Sequence, residues 1–220
     1  MGFIPIFLQV QGKPCLVVGG GEVASRKVAL LLDAGAQVTV ISPEVTDEIK
    51  ELAGSQRVTL LRRAYRTGDM QGCHLVYAAT DDRDLQRRLA DEARQSGIFI
   101  NVADAPEFCS FIAPAVVRRG RLQVAISTAG ASPAFARQLR LRIEQDLGEE
   151  IEVLLELMGE LRDWLKRREP DPAVRARKIA ALADSGLEQA LRRGDSKAVE
   201  AIIARCLGCE VKLSDLGIEA

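Results

Sequence analysis

Three consecutive glycines at positions 19–21 stand between a short apolar run and a helix-forming segment. Gly19, Gly21 and Ala24 have the spacing of the dinucleotide-binding fingerprint in its Ala-ending form. In that motif one glycine allows a tight turn, one lets the backbone approach a pyrophosphate, and a small residue lets the helix pack on the strand. The free N–H groups of the helix would then face the phosphates. Glycine turns also occur in proteins that bind no nucleotide. The residues on either side of the turn therefore decide whether it indicates dinucleotide binding.

The apolar periodicity on both sides of this turn predicts alternating strands and helices. The predicted strands are 14–19, 38–41, 58–61, 75–79 and 98–101, and the predicted helices are 23–34, 45–53 and 83–96. This rhythm predicts an α/β fold with a Rossmann-like, doubly wound parallel sheet. The lead, residues 3–10, is also β-prone, and Pro5 would confine it to an edge or a strand start at one margin of the sheet.

Ligands of such sheets bind beyond the carboxyl ends of the strands. Three segments therefore converge on one crevice: 19–21, 42–44 and 80–82, the last of which begins with Thr80. Asp104 follows the fifth strand and would face the same crevice, where a partly desolvated carboxylate can act as a general base. An ordinary turn aspartate before Ala-Pro explains this residue equally well.

The pattern changes near residue 113. A further strand is predicted at 122–127, and Ser132 followed by Pro133 is a strong helix start, as N-cap and first helical residue. The rest of the chain is helical in composition, broken near residues 148, 169, 186 and 194. We therefore expect a Rossmann-like domain over residues 1–113, a strand-helix region over 114–147, and a helical domain over 148–220.

Composition excludes several classes of protein. The 30 basic and 31 acidic residues nearly balance, which argues against a general nucleic-acid binder. There is no run of 18 apolar residues and no signal-peptide pattern, so no membrane contact is expected and the cytoplasm is the expected location. His74 is the only histidine, and Cys206 and Cys209 form a lone C-x-x-C, so no protein metal site is expected.

A stretch between residues 117 and 143 contains basic residues and no acid. Its arginines are Arg118, Arg119, Arg121, Arg137, Arg140 and Arg142. Such a stretch could hold a polyanionic ligand. A solvated basic helix face, or an interface with an acidic subunit, explains any single arginine as well.

Several motifs, taken together and in order, resemble the siroheme synthase family, and within it the stand-alone precorrin-2 dehydrogenase/sirohydrochlorin ferrochelatase branch. The motifs are FIPIFL at 3–8, VVGGGEVASRK at 17–27, AATDD at 78–82, NVADAP at 101–106, SFIAP at 110–114 and STAGASP at 127–133. The resemblance runs from about residue 2 to about residue 145. It is therefore far more specific than the glycine motif alone.

The resemblance implies an enzyme that oxidises precorrin-2 to sirohydrochlorin with NAD as hydride acceptor. In bifunctional members of the family, ferrous iron is a further substrate and is inserted to give siroheme. A homodimer is also implied, with residues 114–147 as its dimerisation and substrate region. The resemblance adds cofactor contacts at Glu22, Val23, Pro43 and Glu44, and makes Asp104 the base of either reaction.

The eight carboxylates of precorrin-2 suit the arginine stretch, in a second domain that closes over the substrate. Residues expected to contact this tetrapyrrole are Arg118, Arg119, Ser132 and Arg137. The tetrapyrrole itself supplies four nitrogen ligands, so iron insertion needs no protein metal site.

One departure from the general dinucleotide pattern concerns the ribose. Ser42 stands where many NAD proteins have an acid, and Glu44 could substitute. No arginine stands there to hold a 2′-phosphate, which favours NAD over NADP. Three other hypotheses remain open: a dehydrogenase with a separate chelatase, a non-catalytic dinucleotide-sensing dimer, and a structural dimer that has lost catalysis.

Overall fold

The computed structural model describes residues 2–218. The chain divides into two compact units at the bond between Ala113 and Pro114. We call the residues before this bond unit 1 and those after it unit 2, and we describe each unit by itself.

Unit 1 is a five-stranded parallel sheet with helices on both faces. Its elements are β1 (Pro14–Val18), α1 (Glu22–Asp33), β2 (Gln37–Ile41), α2 (Asp47–Gly54), β3 (Thr59–Leu61), β4 (Leu75–Ala78), α3 (Arg83–Ser96) and β5 (Phe99–Val102). The strand order is β3-β2-β1-β4-β5, with each pairing parallel. The chain builds outward from β1 to one side and then crosses over to the other. This confirms the predicted Rossmann-like, doubly wound sheet.

Both faces of the sheet are buried, which is why its strands are continuously apolar. On one face Val28 of α1 and Ile49 of α2 pack in a cluster with Val17. On the other face Leu89 of α3 packs in a cluster with Leu16. Neighbouring residues of β1 thus point into opposite cores, as the alternation of a strand requires.

The outer edge of β5 is covered by the chain that follows it. A short 3-10 turn, Pro106–Phe108, brings the chain back alongside the strand. The backbone N–H of Ser110 donates to the carbonyl oxygen of Ile100 at 2.9 Å, and the N–H of Ile100 donates to Oγ of Ser110 at 2.8 Å. The N–H of Val102 donates to Sγ of Cys109 at 3.2 Å. Side chains and backbone of residues 109–110 thus bind the polar groups along this edge.

The prediction of a strand in the lead is wrong. Residues 2–10, all described, contain no strand, and Ile4 and Phe7 are 81% and 72% exposed. Only Val10 reaches the core of unit 1. The β-prone composition of residues 3–10 expresses a local preference, and a strand also needs a neighbouring strand to pair with.

Unit 2 begins with an antiparallel hairpin and continues as helices. Its elements are β6 (Ala115–Arg119), β7 (Leu122–Ile126), α4 (Pro133–Asp146), α5 (Glu150–Arg168), α6 (Pro172–Ala183), α7 (Leu187–Arg192) and α8 (Ser196–Leu207). Strand β6 was not predicted. The predicted N-cap is confirmed, since Oγ of Ser132 accepts from the N–H of Phe135 at 3.2 Å. Leu157, Leu182 and Ile203 are buried in one apolar cluster of this unit.

Between residues 2 and 218, no helix is long and apolar enough to cross a membrane.

Candidate functional site

The carboxyl edge of the unit 1 sheet brings together the three predicted segments. Strand β1 lies between β2 and β4, so the loops that follow these strands are neighbours. The N–H of Gly19 donates to the carbonyl oxygen of Ile41 at 3.0 Å, and the N–H of Ala79 donates to that of Val18 at 2.7 Å. The glycine turn is therefore held on both sides where β1 ends.

Gly19 occupies a position that only glycine fits. Its φ of +119° is a conformation that L side chains rarely adopt. A Cβ built at Gly19 would overlap the carbonyl oxygen of Ala79 and lie 2.6 Å from its carbon. The first glycine of the motif thus serves the tight turn, at the closest approach of the loop to the end of β4.

Gly20 is a second close approach, which the fingerprint spacing did not single out. A Cβ there would overlap the carbonyl oxygen of Glu44 and lie 2.7 Å from Cγ1 of Val45. The carbonyl oxygen of Gly20 accepts from the N–H of Thr46 at 2.9 Å. The middle glycine therefore packs the turn against the loop after β2, a contact that depends on residues far along the chain.

Gly21 leaves the start of α1 open. It is the N-cap of α1, and no side chain within residues 2–218 caps this end by a hydrogen bond. A Cβ at Gly21 would have no described atom within 4 Å. Glu22 is exposed and Val23 is half-buried, whereas Ala24 is fully buried where α1 packs on the sheet. The N–H groups of this first turn can therefore receive an anion, so the turn fits a dinucleotide pyrophosphate.

The loop after β2 exposes the two predicted cofactor contacts. Pro43 and Glu44 are exposed, whereas Ser42 is buried and its Oγ donates to the carbonyl oxygen of Glu44 at 2.6 Å. Ser42 thus shapes the turn and holds Glu44 at its surface. The carboxylate of Glu44 is the acidic group of this loop that could bind a ribose hydroxyl.

Thr80 and Asp82 lie at the junction of β4 and α3. Oγ1 of the half-buried Thr80 accepts from the N–H of Asp82 at 3.3 Å. The carboxylate of Asp82 accepts from the N–H groups of Asp84 and Leu85 at 3.0 Å each, so Asp82 is the N-cap of α3.

Asp104 lies at the same edge, directly after β5, and its backbone is unusual. Its φ is +55°, a left-handed conformation that Asp and Asn tolerate better than most residues. Sγ of Cys109 lies 3.3 Å from the carbonyl oxygen of Val102 and 3.4 Å from that of Ala105, as the donor to both. The Asp104 side chain is exposed in this chain, whereas partial desolvation was expected. A carboxylate on a turn at the sheet edge is in water unless a ligand covers it.

A half-buried lysine lies near this loop, and the sequence pattern assigns it no role. Nζ of Lys27 stands 4.9 Å from the ring centroid of Tyr77, and Phe111 packs edge-on against that ring at 5.7 Å. Burial, more than the charge of Arg26, lowers the pKa of Lys27, whereas the Cys109 thiol acts in the opposite direction. Burial raises the pKa of Tyr77 to about 12. The pair is an ammonium–aromatic contact on the α1 face of the sheet.

The predicted substrate contacts in unit 2 have different environments. Arg118 on β6 and Arg137 on α4 are exposed. Arg119 instead donates from Nε to the carbonyl oxygen of Leu147 and from Nη2 to that of Glu144, each at 3.0 Å. Ser132 is half-buried as the N-cap of α4. The side chain of Arg119 is therefore engaged with the end of α4, while the other two arginines are accessible.

The remaining candidate groups do not form a site. Within residues 2–218 there is no cluster of three or more histidine, cysteine, aspartate or glutamate side chains able to hold a metal ion. Cys206 lies in α8 with its Sγ 3.7 Å from the carbonyl oxygen of Ala181, and Cys209 is exposed. His74 precedes β4 and its backbone N–H donates to the carbonyl oxygen of Pro14 at 2.7 Å.

Comparison with known families gives two matches. A family model described as putative NAD(P)-binding matches residues 6–115. A model described as the central part of sirohaem biosynthesis proteins matches residues 119–146. The first model covers the glycine turn and the Asp104 loop, and the second covers the arginine-rich stretch from Arg119 onwards.

Similar curated proteins are siroheme synthases. The protein from Methylococcus capsulatus is 46% identical over 80% of this chain and 37% of its own length. That from Ectopseudomonas mendocina is 47% identical over 78% of this chain and 37% of its own length. That from Thioalkalivibrio sulfidiphilus is 40% identical over 99% of this chain and 46% of its own length. The chain thus spans less than half the length of these relatives.

Among solved structures, one described as "SirC, precorrin-2 dehydrogenase" matches with a TM-score of 0.72 over 90% of this chain and 100% of its own. At 24% identity this likeness concerns the fold. Fold, family models and relatives agree: the chain belongs to the siroheme synthase family, with a putative NAD(P)-binding segment at 6–115 and a sirohaem central segment at 119–146.

Proposed function

We propose that this protein oxidises precorrin-2 to sirohydrochlorin with NAD as the acceptor. The observation that carries the proposal is the carboxyl edge of the unit 1 sheet, where the open start of α1 follows β1 and Asp104 follows β5. These strands lie two positions apart, so their ends are separated by about 10 Å. A dinucleotide held at α1 can thus extend towards the Asp104 loop. Relatives that are siroheme synthases supply the choice of substrate.

The reaction removes two hydrogens from the substrate. Precorrin-2 and NAD⁺ give sirohydrochlorin, NADH and one proton. Bound NAD⁺ would supply the hydride acceptor, with its pyrophosphate at the N–H groups that follow Gly21 and its ribose at Glu44. Asp104 would accept the proton that leaves the macrocycle, a step for which a carboxylate at the edge of the cofactor crevice is suited. Binding of the two ligands would remove water from Asp104.

The carboxylates of the substrate require cations. Arg118 and Arg137 are the exposed members of the predicted set, and we propose that they bind substrate carboxylates. Arg119 would act through the position of α4, because its guanidinium already donates to two carbonyl groups there. Arg118→Gln should raise KM for precorrin-2 and weaken its dependence on salt, whereas Arg57→Gln, an exposed arginine of unit 1, should change neither.

Ferrous iron is proposed as a second substrate. Insertion of Fe²⁺ into sirohydrochlorin releases two protons, and the four nitrogen ligands come from the macrocycle. Asp104 would accept these protons as well. Iron insertion therefore needs no set of metal ligands from the protein itself.

The assembly and location are proposed on the same basis. We propose a homodimer in the cytoplasm, with residues 114–147 as the dimerisation and substrate region and 148–220 as a helical domain. Light scattering of the purified full chain at several concentrations tests the dimer. A mass equal to one chain at all concentrations would refute it.

The activity is tested by anaerobic incubation of the protein with precorrin-2 and NAD, followed by absorbance, with ferrous iron added afterwards. Asp104→Asn should lower kcat by about 10² to 10⁴-fold. It should leave NAD binding unchanged, because Asn accepts the left-handed backbone and the side chain is exposed. Asp33→Asn, an exposed aspartate at the far end of α1, is the matched control.

The outcomes separate the hypotheses. Oxidation followed by siroheme formation above the uncatalysed rate supports both steps. Oxidation alone leaves a dehydrogenase with a separate chelatase. NAD binding without oxidation refutes the enzyme and favours the dinucleotide sensor, and loss of neither activity in Asp104→Asn refutes Asp104 as the base.

A further inference from the structure

A buried glutamine bridges two loops of the crevice. Gln86 lies on α3, and only 4% of its surface is exposed. Its Nε2 donates to the carbonyl oxygen of Thr80 at 2.6 Å and to that of Ala103 at 3.4 Å. Thr80 belongs to the loop after β4, and Ala103 immediately precedes Asp104. One side chain thus joins the loop after β4, where the nucleotide is proposed to bind, to the loop of the proposed base.

The orientation of this amide follows from its neighbours. Carbonyl oxygens only accept hydrogen bonds, so the amide nitrogen has to face Thr80 and Ala103. On its other side Oε1 accepts from Nη1 of Arg83 at 3.2 Å. Arg83 also reaches Glu107, beyond Asp104 in the chain, with 3.6 Å between Nη1 and Oε1. The first turns of α3 therefore hold the Asp104 loop at a residue on each side of it.

A loop with a left-handed aspartate needs such support. Asp104 at a φ of +55° is held against its local preference by the surrounding contacts. Cys109 binds the loop from the side of β5, through the N–H of Val102 and the carbonyl oxygen of Ala105. Gln86 binds it from the side of α3. The backbone joins the two segments where the strands end, since the N–H of Ala103 donates to the carbonyl oxygen of Ala78 at 2.9 Å. Beyond that point, Gln86 is the side chain that binds both Thr80 and the Asp104 loop.

We propose that Gln86 is a positioning residue, which fixes the Asp104 loop relative to the loop of Thr80 and so the base relative to the nucleotide. This inference rests on the proposed dehydrogenase reaction. The hydride and the proton leave the same substrate molecule. The hydride acceptor and the base therefore have to hold fixed positions relative to each other. A misplacement of about 1 Å can lower a rate by about 100-fold.

Two variants separate the hydrogen bonds of Gln86 from its volume. Gln86→Met keeps the approximate size and removes the donor. Gln86→Glu keeps the shape and removes the donor only while the carboxyl group is ionised. Gln95→Met, on an exposed position of the same helix, is the matched control.

We expect Gln86→Met to lower kcat about 10- to 100-fold, with KM for NAD within about threefold of wild type. The kcat of Gln86→Glu relative to wild type should rise as the pH is lowered from 8.5 to 6, because the neutral acid again donates to a carbonyl oxygen. The charged groups that face this position are Arg83 on the same helix and Glu107, its partner. Gln86→Met should show no such rise.

A readout without substrate keeps this inference separate from the proposed function. Hydrogen exchange of residues 101–108 should become faster in Gln86→Met, while that of β1 stays unchanged. If wild type oxidises no precorrin-2, the proposed function fails and exchange still tests the loop. Wild-type kcat and wild-type exchange in Gln86→Met would overturn the inference, as would equal losses of kcat in both variants at every pH or faster exchange in β1.

Discussion

Replacing Gly19 and Gly21 by alanine, one at a time, should separate the role of the turn in folding from its role in binding. Gly19→Ala places a Cβ against the carbonyl oxygen of Ala79, at a φ of +119°. The backbone strain costs about 1–3 kcal/mol, and displacing packed backbone costs about 1–3 kcal/mol more. We therefore expect a loss of about 2–6 kcal/mol, which is a large part of the usual 5–15 kcal/mol stability of a domain.

Gly21→Ala should behave differently. Its φ of −83° and ψ of −171° suit alanine, and no described atom lies near the new Cβ. Because alanine is a poor N-cap, we expect a loss of about 1 kcal/mol or less. The added methyl group would stand where the pyrophosphate approaches α1, so the Kd for NAD should rise about tenfold or more.

Urea unfolding followed by circular dichroism measures the first effect, and calorimetric titration with NAD measures the second. Gly54→Ala is a suitable control, because Gly54 lies at the exposed end of α2 and a Cβ there has no described neighbour within 4 Å. A free energy of unfolding of Gly19→Ala within 1 kcal/mol of wild type would contradict the folding role of Gly19. Binding of NAD by Gly21→Ala as tightly as by wild type would contradict a pyrophosphate site at the start of α1.

Three further predictions concern stability and reactivity. Burial, and then the charge of Cys15, raises the pKa of Tyr77 from the usual 10.0 of tyrosine to about 12. The stability that depends on the neutral phenol is therefore fully present below pH 10 and falls by about 2 kcal/mol by pH 12, and the urea midpoint of Tyr77→Phe should fall less steeply over that range. Burial, and then the charge of Cys73, raises the pKa of Cys15 to about 11, so roughly one Cys15 thiol in a thousand is ionised at pH 8. Alkylation mapped by mass spectrometry should therefore label the exposed Cys209 first and Cys15 only on unfolding. Early labelling of Cys15 would contradict its burial. Ser132→Ala removes the N-cap of α4 and should cost about 1 kcal/mol by urea unfolding; an unchanged midpoint would show that the cap is dispensable.

Local signals were sufficient to predict where several elements begin. Asp82 and Ser132 bind N–H groups two or three residues ahead, so their roles can be read within one turn of helix. The alternation of apolar strands with helices likewise predicted β1, β2, β4 and β5, because a parallel sheet buried on both faces selects apolar residues throughout.

Contacts between distant residues could not be predicted in this way. The fingerprint assigned roles to Gly19 and Gly21, but Gly20 is required by the carbonyl group of Glu44, 24 positions further on. Gln86 resembled any polar residue of an amphipathic helix until Thr80 and Ala103 were placed beside it. The sequence shows only the local pattern around each of these residues. It does not show the distant residue that each one contacts.

The candidate site likewise has some features that local sequence patterns predict and others that depend on distant residues. The position of Asp104 at the carboxyl edge follows from the strand pattern, whereas its left-handed backbone and exposure do not. The arginine stretch was visible as charge, but the engagement of Arg119 with α4 required the fold, because its acceptors are backbone carbonyl groups of Glu144 and Leu147.

The covered edge of β5 has a consequence for solubility. An exposed edge strand offers unpaired N–H and C=O groups to any other extended chain and is a common start of aggregation. Here Cys109 and Ser110 bind those groups at Ile100 and Val102, so a sixth strand cannot add without displacing them. The turn that carries Asp104 is also the link that brings these residues back to the edge. A deletion that shortened this turn would therefore endanger the protein first through self-association, before any question of catalysis arose.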